Sequence, residues 1–167
     1  MPASATRKVA KQETVDAAHL ARIAQEGYGA GAWHGPDLHA ALSDVTSDLA
    51  LWRPAKGRHN IAEIAVHHAF YVRSVRERLT GTSVEAFPFP GDDWFEVAGA
   101  SMDWEKIVDL VETQQERLVK AIADLGAGGA RPSDPEVKPF DLVLGITCHA
   151  VYHAGQIQLI KRLRETR

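Results

Sequence analysis

The sequence predicts an all-α protein, a four-helix bundle with one long crossover. Three observations carry that prediction. Long stretches repeat their apolar residues at alternating steps of three and four, the period of a helix face turned inward. Strand-like alternation is essentially absent. The segment from Gly81 to Met102, broken by Pro88, Pro90 and Gly91, is longer than the connections that antiparallel neighbours use, and suits a crossover between parallel helices.

The elements follow in order. A first helix runs from about Glu13 to about Glu26 with Leu20 and Ile23 inward, and Gly27, Gly29 and Gly31 end it. Pro36 is placed to open the next helical stretch, where Leu38, Leu42, Val45 and Leu49 keep a helical rhythm. Trp33 and His34, between these two, read as a loop anchored by its aromatic ring. Asn60 is a good N-cap, and Glu63 three residues on completes a capping-box pattern. The helix from Asn60 to about Leu79 carries Ile61, Ile64, Tyr71, Val72, Val75 and Leu79 and is closed by Gly81. Arg73, Arg76 and Arg78 with Glu77 read as its solvated face. Phe87, Phe89, Trp94 and Phe95 of the crossover are expected to cover one end of the bundle. Asp103 caps a helix to about Leu125 with Trp104, Ile107, Val111, Gln114 and Leu118 inward. Pro135 and Pro139 lead into a last helix, 140–164, with Leu142, Ile146, His149, His153, Gln156, Ile160 and Leu163 along its seam.

Length and composition narrow the function. The chain has 167 residues, 45% hydrophobic and 25% charged, which suits one domain spanning 1–167 with a frayed tail over 1–12. A net charge of −3 gives no footprint for nucleic acid, and no apolar run reaches the roughly 20 residues that span a bilayer. The first residues, MPASATRKVAKQ, have no apolar stretch and do not read as a secretory signal. The single cysteine, Cys148, forms no internal disulfide and fits a reducing cytoplasm. It reads as a small packing residue.

The chemistry sits on the last helix. His149 and His153 are four residues apart, so they lie one above the other on one face, and two such imidazoles can converge on one metal ion. A lone His on an apolar face is ordinarily a hydrogen-bonded core residue, and spacing alone leaves both readings open. The intervening Ala150, Val151 and Tyr152 include no Glu, so this is not the zincin pattern. A doublet, His67-His68, lies on the helix after Asn60. Periodicity leaves open which of the two points inward. Tyr71, Tyr152 and Gln156 are candidates for the surrounding wall. Glu63 is explained by its cap, and Asp92 and Asp93 read as loop charge.

The segments HNIAEIAVHHAFYVRSVRERLTG and GITCHAVYHAGQIQLIKR, separated by a connection containing DW, resemble the DinB-like (DinB/YfiT) metal-binding four-helix-bundle superfamily. AWHGPDLHAALSDV and WRPAKGRHNI look like one of its branches, so the resemblance runs from about Thr14 onward. It implies an up-down-down-up bundle with the long crossover between the second and third bundle helices. It also implies a divalent metal held by three histidines. By motif these are His149, His153 and, in the family's LxxH position, His67; His68 falls where the family has an apolar residue. Zinc or nickel, or else iron or manganese, is the implied cofactor, with a low-molecular-weight thiol as a second. The resemblance further implies a small-molecule substrate, a homodimer, and either a thiol S-transferase or a hydrolase. The alternative is a non-catalytic metal-binding or stress-response protein.

Overall fold

The computed structural model describes residues 16–29, 31–97, 102–129, 131–132 and 134–166. Among them are six helices and no strand: α1 (Ala17–Gly27), α2 (Leu38–Leu42), α3 (Ser47–Leu51), α4 (Ile61–Thr80), α5 (Trp104–Gly126) and α6 (Pro139–Glu165). The expected tail over 1–12 and the expected helix start at Glu13 lie outside the described residues; within them α1 begins after an Asp16 N-cap.

The two core clusters give the helix directions. One joins the first half of α4 (Ile61, Ile64) to the start of α5 (Trp104, Ile107) and the second half of α6 (Ile157, Ile160). The other joins the second half of α4 (Val72, Leu79) to the second half of α5 (Leu118, Ile122) and the start of α6 (Val143, Ile146), with Leu20 and Ala24 of α1. Hence α4 and α5 run parallel and α6 runs against both. Ala17 at the start of α1 lies against Gly126 at the end of α5, and Gly27 at its end lies against Thr147 and Ala150 of α6. So α1 runs with α6, and the order is up-down-down-up.

Local chemistry places the ends. Asn60 and Glu63 form the capping box, each side chain taking the other's backbone N–H. Gly81 ends α4 at φ 67°, a left-handed conformation that glycine adopts without the Cβ penalty. Asp103 caps α5, and Pro139 stands in the first turn of α6, where its missing N–H costs nothing. The crossover is pinned by Glu85, which accepts from Arg76, Gln114 and Arg117. Burial alone would raise the Glu85 carboxyl, but hydrogen bonds from Gln114 and Arg76 hold it down to about 2.

Several expectations are corrected. Arg76 is buried in that clamp rather than solvated, because the crossover folds back over it. The rhythm from Leu38 to Leu49 is broken into α2 and α3, each with its own cap, Asp37 and Thr46, and Pro36 precedes the cap instead of opening the helix. Trp33 is not a buried anchor for its loop; it is 89% exposed. Cys148 is exposed as well. The buried face of α6 is Val143, Ile146, Thr147, Ala150, His153, Ala154, Ile157 and Ile160, while Leu163 is exposed and His149 and Gln156 sit at its edge. The face is turned because α6 packs against α1, α2 and α4 together, and small residues allow the closest approach. A Cβ on Gly27 would lie 3.0 Å from both the Ala150 Cβ and the Thr147 carbonyl oxygen. Small residues carry little hydrophobic signal, so a pattern of large ones misplaces the face. No helix among the described residues is long and apolar enough to cross a membrane.

Candidate metal centre

The first half of α4 is enclosed by α3, the crossover, α5 and α6, so every residue from Ile61 to Ala69 is buried. Both halves of the doublet are therefore inside: His67 is 6% exposed and His68 1%. They leave α4 in different directions and meet α6 at different atoms. His67 Nε2 lies 3.1 Å from His149 Nε2, and His153 Nε2 lies 3.1 Å from the same atom. One ligand atom from each of His67, His149 and His153 falls within 4.8 Å of the others. His68 meets His149 from behind, Nδ1 to Nδ1 at 3.2 Å. Periodicity leaves open which of the two points inward; both do, and His68 does not join the convergence.

The far sides of the rings settle two tautomers. His67 Nδ1 donates to the Asp93 backbone carbonyl at 2.9 Å, with Asp93 Oδ1 also 3.2 Å away. His153 Nδ1 donates to Gln156 Oε1 at 2.6 Å, and Gln156 Nε2 in turn donates to the Tyr152 hydroxyl at 3.1 Å. A neutral imidazole with its proton on Nδ1 has a bare lone pair on Nε2. Two bare lone pairs therefore face the third Nε2 at hydrogen-bond distance. One proton on His149 can satisfy only one of them, whereas a cation among the three satisfies all. The residues fit a divalent ion: three nitrogen donors, two of them already oriented by acceptors behind them.

Tyr71, Tyr152 and Gln156 do surround the site, with the Tyr71 hydroxyl donating to Asp93 Oδ1 at 3.1 Å. Asp93, expected as loop charge, reaches His67. Trp94, expected to cover a bundle end, instead stacks between two imidazoles, 3.6 Å from the His59 ring and 3.9 Å from the His67 ring. The DW pair in the crossover marks these two residues in the sequence, but nothing local says which way the loop turns them. Glu63 holds its structural place, bound by Arg53, His59 and the Asn60 N–H.

Burial, reinforced by neighbouring imidazoles, pushes His149 down to about 3. Burial likewise takes His153 down to about 4 despite the Gln156 bond that opposes it, and lowers His67 and, further, His68. All four are neutral at pH 7, the form that binds metal. An unfolded histidine titrates near 6.5, so between that value and the folded ones the unfolded chain binds more protons. Stability of the metal-free protein is then lost as pH falls through this window. Thermal unfolding should show the midpoint dropping from pH 6.5 to pH 5, above the usual carboxylate range, and His149→Leu should flatten part of that slope. A midpoint constant over the same interval would contradict buried neutral histidines.

A family model for the DinB superfamily matches residues 31–157. No curated protein and no solved structure matches the chain. That model spans α2 to most of α6 and takes in all three converging histidines, so by sequence and by its helical fold the chain belongs to the DinB superfamily.

Proposed function

We propose that this protein is a divalent-metal-dependent enzyme that joins a low-molecular-weight thiol to an electrophilic small molecule, with His67, His149 and His153 as the metal ligands. The observation that carries this reading is the facing of the three Nε2 atoms, with the opposite nitrogens of His67 and His153 drawn off to acceptors. Three neutral imidazoles would leave a bound ion its full double charge, and such an ion would supply acidification of a thiol or water and polarisation of a carbonyl. Imidazole donors suit zinc or nickel, with iron or manganese as alternatives.

The chain's own groups favour a thiol over water as nucleophile. The nearby carboxylates are committed: Glu63 to Arg53, His59 and the Asn60 N–H, and Asp93 to the Tyr71 hydroxyl and His67. Water attack calls for a placed general base, whereas thiols ionise much closer to neutral pH and ask less of one. The reaction forms a C–S bond, expels the electrophile's leaving group and sends the thiol proton to solvent. Trp94, stacked on His67, shields that ring from water, and Tyr152 through Gln156 fixes the orientation of His153.

Elemental analysis of the purified protein, followed by conjugation assays with several cofactor thiols, tests the proposal. The expected result is about one divalent ion per chain and thiol conjugation above the chemical background, both lost in His149→Ala. Amide hydrolysis without conjugation would move the reading to a hydrolase. Bound metal with no turnover of either kind would leave a non-catalytic metal-binding or stress-response protein. A wild type that holds no metal overturns the proposal.

A further inference from the structure

We propose that His68 is a positioning residue for the metal ligand His149, acting as the acceptor that fixes its tautomer; this rests on the metal reading above. To bind through Nε2, His149 must carry its proton on Nδ1, and buried metal-binding imidazoles need an acceptor there. The atom in place is His68 Nδ1, 3.2 Å away. It accepts only if His68 carries its own proton on Nε2. That Nε2 is buried without a hydrogen-bond partner, and the seam that His68 lines with Tyr28, Gln115, Leu118 and Thr147 is too narrow to admit a water molecule. An unpaired buried N–H costs stability, so the metal-free pair prefers the opposite arrangement. There His68 Nδ1–H donates to His149 Nδ1, and His149 Nε2–H donates to a neighbouring ring. Loading the metal exchanges the two arrangements: the His149 Nε2 proton leaves, the proton between the rings passes to His149 Nδ1, and His68 Nε2 gains one. The pair holds two protons before and after.

Nitrogen-15 NMR of the imidazoles in the full chain, before and after addition of Zn2+, reads this directly. The expected Zn2+ form has protons on His149 Nδ1 and His68 Nε2, and a bare His68 Nδ1. Zn2+ affinity by chelator competition should fall roughly 10–100-fold in His68→Leu. It should recover in His68→Asn, whose amide oxygen replaces the imidazole acceptor. A His68 that keeps its Nδ1 proton with Zn2+ bound, or His68→Leu binding as tightly as wild type, overturns the role. Failure of the wild type to bind Zn2+ overturns the metal reading itself, and the role with it.

A second observation is independent of the metal. Between Asp141 and Lys161 the sequence has no Asp, Glu, Lys or Arg, yet α6 leaves a whole face of this stretch exposed, including Tyr152 (63%) and Leu159 (58%). The face is self-complementary. Set antiparallel against its own copy, with the dyad between Val151 and Tyr152, it pairs Phe140 with Leu163, Leu144 with Leu159 and exposed Cys148 with Gly155, where a Cβ would meet nothing. The same register sets Asp141 opposite Arg162, so the charges at the ends also match. A homodimer is already what the family resemblance implies; what we infer is its interface, this face of α6 set against its own copy about a two-fold axis, with the centre next to the Tyr152–Gln156–His153 chain.

Light scattering at micromolar concentration should give a dimer mass, and Leu159→Glu should give a monomer. In a Cys148→Ser background, Leu144→Cys together with Leu159→Cys should form an interchain disulfide, whereas either alone should not. A wild-type monomer, a dimer indifferent to Leu159→Glu, or a disulfide from Leu144→Cys alone would overturn this interface.

Discussion

Much of this molecule depends on keeping several imidazoles neutral and close together out of water. Four histidine rings, those of His67, His68, His149 and His153, meet between α4 and α6. Each polar nitrogen there needs a partner, and each ring loses basicity by burial. The partners lie at different distances in sequence. Gln156 is one turn along α6, Asp93 comes from the crossover, and His68 sits beside His67 on α4. The up-down-down-up order makes this possible, because it sends the crossover past the α4 end of the cluster and sets α6 against α4.

The scaffold holds those partners at its stiffest points. The capping box fixes the start of α4 two turns before His67. The Glu85 clamp ties the beginning of the crossover to α4 and α5, and its far end packs Phe89, Phe95 and Val97 into the same core as Ile61 and Ile64. Asp93 and Trp94 lie between these anchors, so the loop that orders His67 is itself held on both sides.

The bundle was legible because the large apolar residues of α4, α5 and α6 keep helical period and because caps and glycines mark the ends. The His149–His153 pair was legible for the same reason, its spacing matching one helical turn. The turn of the buried face of α6 was not, because Thr147, Ala150 and Ala154 are buried yet carry little hydrophobic signal, and Thr147 and Ala150 permit the close approach of α1. The doublet resisted reading because the usual either-or assumption fails: α4 is enclosed on nearly all sides in this half, so His67 and His68 are both core residues with different neighbours. Asp93 and Trp94 belong to a loop whose direction is set by contacts distant in sequence, and local pattern does not encode those.

X-ray absorption on the metal-loaded protein tests the central claim most directly. A centre held by His67, His149 and His153 gives three imidazole nitrogens at about 2.0–2.1 Å for zinc, with the outer-shell scattering of their rings and one further light ligand. An ion without imidazole outer-shell scattering, or one whose spectrum is unchanged in a chain lacking His149 and His153, would contradict it.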